Sequence, residues 1–160
     1  MEYNGITFTE DMIWALAITM VIYYTALAFY CHSLKRTLDL IAEENRFLKP
    51  RLAWLAMIPV FNIYWNFVIA SRMSDSLTNE FYDRKIPEEE FPGKVTGTTY
   101  AILIALANFP ISQGLSVFTG LFSLYFFIRY WIKIDNFRVL LKEHNRYLML
   151  KKEPNEHEAI

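Results

Sequence analysis

The sequence is poor in the residues from which most catalytic and metal sites are built. Its one cysteine, Cys31, excludes an internal disulfide and a zinc site made of cysteines. The histidines His32, His144 and His157 lie far apart, and none has a second histidine or an aspartate at metal-ligand spacing. Glycine-rich phosphate loops, G-x-S-x-G and H-E-x-x-H are missing from the sequence. We therefore predict no catalytic residue, no metal, no cofactor and no enzymatic activity.

Acidic residues are missing from four long apolar segments, 12–31, 52–70, 95–109 and 115–132, and Arg129 is the one basic residue in them. The first two, at 20 and 19 residues, are long enough to cross a hydrocarbon core of roughly 30 Å. Hydrophobic residues make up 54 % of the chain, so too little polar sequence is left to cover four buried helices in water. We expect an all-α integral membrane protein with four apolar helical segments in a single domain.

Basic residues are missing from the N-terminus, which carries Glu2, Glu10 and Asp11 instead. This is the reverse of the basic start of a signal peptide, so we expect the first apolar segment to remain as a transmembrane helix. The net charge of −1 gives no reason to expect a nucleic-acid partner.

The second apolar segment is the only one interrupted near its middle, by Pro59 and Asn62 in the run IPVFN. Proline removes a helical hydrogen bond and clashes with the preceding turn, and in lipid the freed carbonyls need partners. Asn62 and Asn66, four residues apart on one helical face, can supply them. Two arrangements fit: a kinked span, or a re-entrant segment that returns to the side it came from.

The distribution of lysine and arginine bears on this choice. Of the sixteen, five lie between segments one and two, four between two and three, and seven from Arg129 onward. A re-entrant second segment leaves three spans and puts all sixteen on the cytoplasmic side, as the positive-inside rule favours. Against the re-entrant form, four full spans is the simpler arrangement, because the second segment is long enough to cross the membrane. We lean slightly towards the re-entrant form, and expect a cytoplasmic C-terminal tail in either case.

Amphipathic helices are expected to extend the apolar segments, over 32–48, 71–84 and 133–152, with a frayed tail at 154–160. In the first extension Leu34, Leu38, Ile41, Asn45 and Leu48 recur at heptad spacing, with no glycine or proline before Pro50. This pattern fits a helix that packs on its own chain, which we favour, or a short coiled coil in which Asn45 fixes the register.

A faint internal repeat joins two of these extensions. LIAEENRFL at 40–48 and LLKEHNRYL at 140–148 match at five of nine positions. If the match reflects a true repeat, the first and fourth helices continue into similar helices that pack together. The residues that we expect to mediate interaction are Asn45, Arg46, Leu141, Asn145, Arg146 and Leu148.

The stretch from residue 44 to residue 84 resembles a widespread family of bacterial multi-pass membrane proteins to which no activity is assigned. The matching positions are Glu44, Asn45, Arg46, Pro50, Trp54, Leu55, Ile58, Pro59, Phe61, Asn62, Trp65, Ser74, Asp75, Ser76, Leu77, Glu80, Phe81 and Arg84. Tyr130, Trp131, Lys133 and Ile134 are similar to a second element of the family. The chain departs from it at Arg51, where members often have glycine. The resemblance implies a multi-pass membrane protein whose broken segment is a designed feature.

Together these features favour a non-enzymatic inner-membrane protein that acts by self-assembly or as an accessory subunit of a membrane complex. The alternative is a small oligomeric channel or carrier with a polar path near the broken segment, and Pro59, Asn62 and Asn66 are its candidate pore or packing residues. The expected partners are membrane lipid and either a second copy or another membrane subunit. Arg129 is a candidate for contact with a lipid headgroup.

Overall fold

The computed structural model describes the backbone of residues 2–3, 6–7, 9–109 and 113–157, and the side chains of 9–109 and 114–151. Glu2–Tyr3 pairs antiparallel with Ile6–Thr7, and the other regular elements in these ranges are helices. The prediction of an all-α protein is therefore confirmed. The helices are α1 (Glu10–Asp39), a 3-10 turn (Glu43–Asn45), a 3-10 helix (Pro50–Met57), α2 (Phe61–Arg84), α3 (Lys94–Asn108) and α4 (Gln113–His157).

Two helices, α1 and the 114–151 part of α4, are long and apolar enough to cross a membrane. In their most apolar windows only 6 % and 17 % of the residues are buried inside the chain. These two helices contain the first and the fourth of the expected apolar segments, and four apolar spans are not shown among the described residues. The second segment is divided between two helices, and α3 has 15 residues, a length of about 22 Å.

α1 and α4 run parallel to each other. The ring centroids of Tyr30 and Phe127 lie 5.0 Å apart, and the Ser33 hydroxyl, further along α1, donates to the Asp135 carboxylate, further along α4, at 3.2 Å. The buried core begins at Leu27 and lies around the C-terminal half of α1, while residues 10–23 of α1 are all exposed. The apolar surface of α1 is therefore exposed in its N-terminal half and packed against the core in its C-terminal half.

α3 runs antiparallel to its neighbours and fits closely between them. A Cβ atom on Gly97 would lie 2.7 Å from the Tyr130 ring of α4 and 2.9 Å from the Ala70 Cβ of α2. Nearer the polar end, Lys94 forms an ion pair with Asp75 of α2 at 3.7 Å. α1, α2 and α4 therefore point in one direction, and α3 in the other.

The helical extension expected at 32–48 is wrong beyond Asp39, where α1 ends. No glycine or proline ends the helix. Its end is stabilised by two arginines that donate to carbonyl groups otherwise left without partners. Arg46 donates to the carbonyls of Ile41 and Asp39, and Arg84 donates to that of Leu40. The heptad pattern therefore does not form a coiled coil, and Asn45 lies in a 3-10 turn.

The other two extensions belong to longer helices: 71–84 is the second half of α2, and 133–152 is part of α4. α4 continues to His157, so the tail that we expected to be frayed is helical from residue 154 to residue 157. Residues 158–160 lie outside the described residues. The two nine-residue matches differ in conformation, since 40–48 forms no α-helix and 140–148 is helical throughout.

Gly97→Ala is expected to destabilise the protein by about 1–3 kcal/mol, because the added methyl group must displace the Tyr130 ring and α2. Thermal unfolding of the full chain in detergent measures the effect. The matched control is Gly120→Ala, also in a helix, where a Cβ would meet nothing within 4 Å. Equal unfolding temperatures for the two variants would contradict the close packing of α3.

Candidate functional site

The chain reverses direction at Ile58–Val60, between the 3-10 helix and α2. The Trp65 indole N–H on α2 donates to the Leu52 carbonyl of the 3-10 helix at 2.9 Å. If the two helices were collinear, these residues would be roughly 25 Å apart, beyond the reach of a tryptophan side chain. Further along, the Ser76 hydroxyl accepts from the Phe47 N–H at 2.9 Å. Residues 47–57 therefore run back along α2, and the predicted break is a hairpin rather than a kink.

The reversal is tight and strained. Val60 has φ 64° and ψ −50°, and the Phe61 N–H donates to the Pro59 carbonyl at 2.7 Å. This is a γ-turn with positive φ, which is rare, and a β-branched residue adopts that backbone only at a cost. The Val60 side chain is 82 % exposed. Strain of this kind persists only where the surrounding structure enforces it, and it is concentrated at functional sites.

The reversal lies level with the middle of the first apolar segment. The Asn62 amide, in the first turn of α2, donates to the Tyr23 hydroxyl of α1 at 3.2 Å, and Tyr23 is close to the midpoint of residues 12–31. One turn further along α2, Asn66 is 2 % exposed and lies beside Tyr100 of α3. Neither atom of its amide group forms a hydrogen bond of good geometry with a residue that the structure describes, although the Tyr100 hydroxyl is near enough to interact with it.

Three further buried hydroxyl groups lie within these four helices. Those of Tyr30, Tyr130 and Ser74 also lack hydrogen-bond partners within the described part of the chain. Ser74 lies two turns beyond Asn66 on α2, and the rings of Tyr30 and Tyr130 are 6.3 Å apart. Burying a polar group without a partner costs about 1–3 kcal/mol. Each of these groups therefore keeps hydrogen-bonding capacity that the described residues do not use.

A second polar site lies at the other end of the bundle, around Glu80 of α2, which is 2 % exposed. One of its carboxylate oxygens accepts from the Ala42 N–H at 3.0 Å and from the Asn45 amide at 2.9 Å. The other accepts from Arg84 at 2.7 Å. The carboxylate thus binds two donors from the loop after α1 and one arginine of its own helix.

Arg84 extends this site to α4. Its guanidinium donates to Glu80, to the Leu40 carbonyl at 2.9 Å, and to the Asn145 side-chain oxygen at 2.5 Å. We call Glu80, Arg84, Asn45 and Asn145 the Glu80 cluster. It ties the end of α1 and its following loop to α2 and α4.

Of the six residues expected to mediate interaction, four are engaged within the chain and two are exposed. Asn45 and Asn145 meet in the Glu80 cluster, Arg46 caps α1, and Leu141 is fully buried in the core. Arg146 and Leu148 remain exposed on α4.

Arg129, the candidate for lipid contact, is exposed on α4. It donates to the Tyr125 hydroxyl at 3.1 Å, and its guanidinium carbon lies 5.8 Å from the centroid of that ring.

Among the described residues no group of three or more His, Cys, Asp and Glu is placed to hold a metal ion.

Reasoning from the sequence missed Glu80 and Arg84 as site residues, although both belong to the stretch that carries the resemblance. The available signal was their i,i+4 spacing, which pairs a carboxylate with an arginine on one helix face. Since exposed pairs share that spacing, it could not show that this pair is buried.

A comparison of the chain with protein families, curated proteins and solved structures finds no match.

Glu80→Gln is expected to destabilise the protein by about 3 kcal/mol, because it leaves the partly buried Arg84 without its counter-charge. Chemical unfolding in detergent micelles measures the change. Asp39→Asn is the matched control, since Asp39 forms an exposed i,i+4 pair with Lys35, and its loss should cost less than about 1 kcal/mol. A similar loss in both variants would rule out a special role for the buried pair.

Proposed function

We propose that this chain is a multi-pass membrane protein of the bacterial inner membrane that acts by assembly rather than by catalysis. In this arrangement α1, α3 and α4 cross the bilayer. The 3-10 helix enters from the cytoplasmic side, and the first half of α2 returns to it. The partner is a second copy of the chain or another membrane subunit.

The direction of the helices supports this topology. Because α1, α2 and α4 are parallel and the 3-10 helix runs back along α2, the three basic regions of the sequence lie at one end of the bundle. The start of α1, with Glu10 and Asp11, and the end of α3 lie at the other end. The positive-inside rule then places the C-terminal tail in the cytoplasm. α3 is shorter than the hydrocarbon core, a mismatch that local thinning of the bilayer accommodates.

The observation that carries the proposal is the exposed reversal at mid-depth. Ile58, Pro59 and Val60 are non-helical and exposed, and the bond between Asn62 and Tyr23 sets them near the middle of the first apolar segment. Irregular backbone at that depth is tolerated where protein covers it or where it lines a water-filled cavity, and not where it faces lipid. A neighbouring chain seated on the reversal satisfies this condition.

The end of α4 offers a second surface for assembly. Tyr147, Leu148, Met149 and Leu150 are consecutive and exposed. They begin about 22 Å beyond residue 132, where the last apolar segment ends. Four consecutive residues cover the whole circumference of a helix, so packing against the rest of the chain cannot bury them all.

Cysteine cross-linking in native membranes tests the assembly. Val60→Cys should give a covalent dimer, or a covalent product with another membrane protein, when a membrane-permeant oxidant or bifunctional thiol reagent is added. Ile22→Cys is the control, because it is exposed on α1 next to Tyr23 and therefore lies at a similar depth. The native Cys31 is buried, so it should not react in either variant.

A product with Val60→Cys and none with Ile22→Cys would support a neighbour seated on the reversal. Its mass would distinguish a second copy from another subunit. If neither variant gives a product, or if both give it equally, the reversal has no protein neighbour and the proposal fails.

A second candidate function, a channel or carrier for a small polar solute, is favoured by the buried amide of Asn66, which forms no hydrogen bond of good geometry with the described residues. Asn62 and Asn66 lie at the N-terminal end of α2, whose dipole is positive there, and broken helices at mid-depth form the binding sites of many transporters. Asn66→Leu should abolish solute flux in proteoliposomes. Thr99→Val, which removes an exposed hydroxyl bonded within its own helix, should leave it unchanged. Absence of flux from the unmodified protein would exclude this function.

A further inference from the structure

Two cavities lie one after the other along one face of α1, and together we call them the α1 groove. The residues of α1 that line it recur at spacings of four and three, which keeps them on a single face: Val21, Thr25, Ala28, His32, Lys35 and Asp39. The opposite wall is the segment that leads into and forms the 3-10 helix. Trp54 lines the part of the groove within the apolar segment, and Lys49 to Leu52 line the part beyond it.

The two parts of the groove differ in chemistry. The part beside Met20 to His32 has a volume of about 730 Å³, and apolar side chains such as Val21, Phe29 and Trp54 dominate its lining. The part beside Lys35 and Asp39 has a volume of about 870 Å³ and is lined by four basic and two acidic residues. Lys35 lies about 6 Å beyond the apolar segment and Asp39 about 12 Å, which is the depth of lipid headgroups.

The basic part carries positive charge that the described residues leave uncompensated. Lys35 is paired with Asp39 at 2.7 Å. Arg46 is fixed by its bonds to the end of α1. Lys49 and Arg51 are exposed and form no ion pair with any residue that the structure describes, and Glu43 is the one remaining acid in the lining.

We propose that this groove binds one anionic phospholipid. An acyl chain lies along the apolar part, between α1 and Trp54, and the phosphate lies among Lys49, Arg51 and Arg46. Basic pockets beside membrane helices on the cytoplasmic side bind such headgroups. The proposal needs α1 in the membrane but not the assembly of chains, since the groove is formed within one chain. Because an apolar cavity follows the basic one along α1, the arrangement fits a lipid better than a free phosphate.

Native mass spectrometry of the full chain in detergent, titrated with phosphatidylglycerol, measures the affinity. Phosphatidylcholine with the same acyl chains should bind at least tenfold more weakly. Glycerol 3-phosphate, which offers the phosphate without acyl chains, should neither bind detectably nor displace the lipid.

Lys49→Gln with Arg51→Gln should weaken phosphatidylglycerol binding about thirtyfold, since each basic residue near an anionic group contributes roughly fivefold. Phosphatidylcholine binding should not change. Arg36→Gln is the matched control, because Arg36 lies on α1 next to Lys35 but does not line the groove. It should change the affinity less than twofold.

The apolar part is tested separately. Ala28→Trp fills it and should reduce the binding of both lipids at least tenfold, whereas Ala15→Trp, on an exposed part of α1 outside the groove, should not. Unchanged elution volume and helical content confirm that each variant is folded. Equal affinity for the two lipids, binding of glycerol 3-phosphate as tight as that of phosphatidylglycerol, an equal loss with Arg36→Gln, or full binding by Ala28→Trp would each overturn the proposal.

Discussion

The carboxylate of Glu80 is the group on which the rest of this structure depends. It is buried, and it accepts hydrogen bonds from the loop that follows α1 and from Arg84 on its own helix. Charge-assisted bonds of this kind are about twice as strong as neutral ones. A buried ion pair is not stabilising by itself, since removing two charges from water opposes its formation. Here the pair fixes geometry, because its remaining bonds reach the end of α1 and α4.

That geometry directs the chain back along α2. Once the loop after α1 is bound to Glu80, the following residues start beside the middle of α2 and run antiparallel to it until the turn at Ile58–Val60. The strain at Val60 can persist because both arms of this hairpin are held along their length. The same arrangement leaves the 3-10 helix beside α1, so a groove remains between the two. The polar contacts at one end of the bundle thus determine what lies near the middle of the apolar segments.

The sequence predicted the features that depend on local composition. The helical class, the apolar segments and the break near Pro59 follow from residues that are close together in the chain. The end of α1 could not be predicted in this way, because Arg84, which caps it, lies 44 residues further on. The matching stretches at 40–48 and 140–148 illustrate the same limit. Two stretches that match at five of nine positions form a loop where Glu80 binds the first and a helix where Asn145 of the second accepts from Arg84. The i,i+4 spacing of Glu80 and Arg84 was visible, but their burial was not.

Buried polar groups differ in whether they have hydrogen-bond partners, and this difference bears on function. In the Glu80 cluster the charged atoms have partners, as a structural role requires. Asn66, which lies near the reversal, and the hydroxyl groups of Tyr30, Ser74 and Tyr130, which lie nearer the polar end of the bundle, have no hydrogen bond of good geometry among the described residues. An apolar side chain of similar size at these positions would avoid the cost of an unpaired polar atom. Stability therefore does not explain these polar residues, and Asn66 is the one of the four that lies near the reversal. The reversal, rather than the Glu80 cluster, is where an activity of this protein is to be sought.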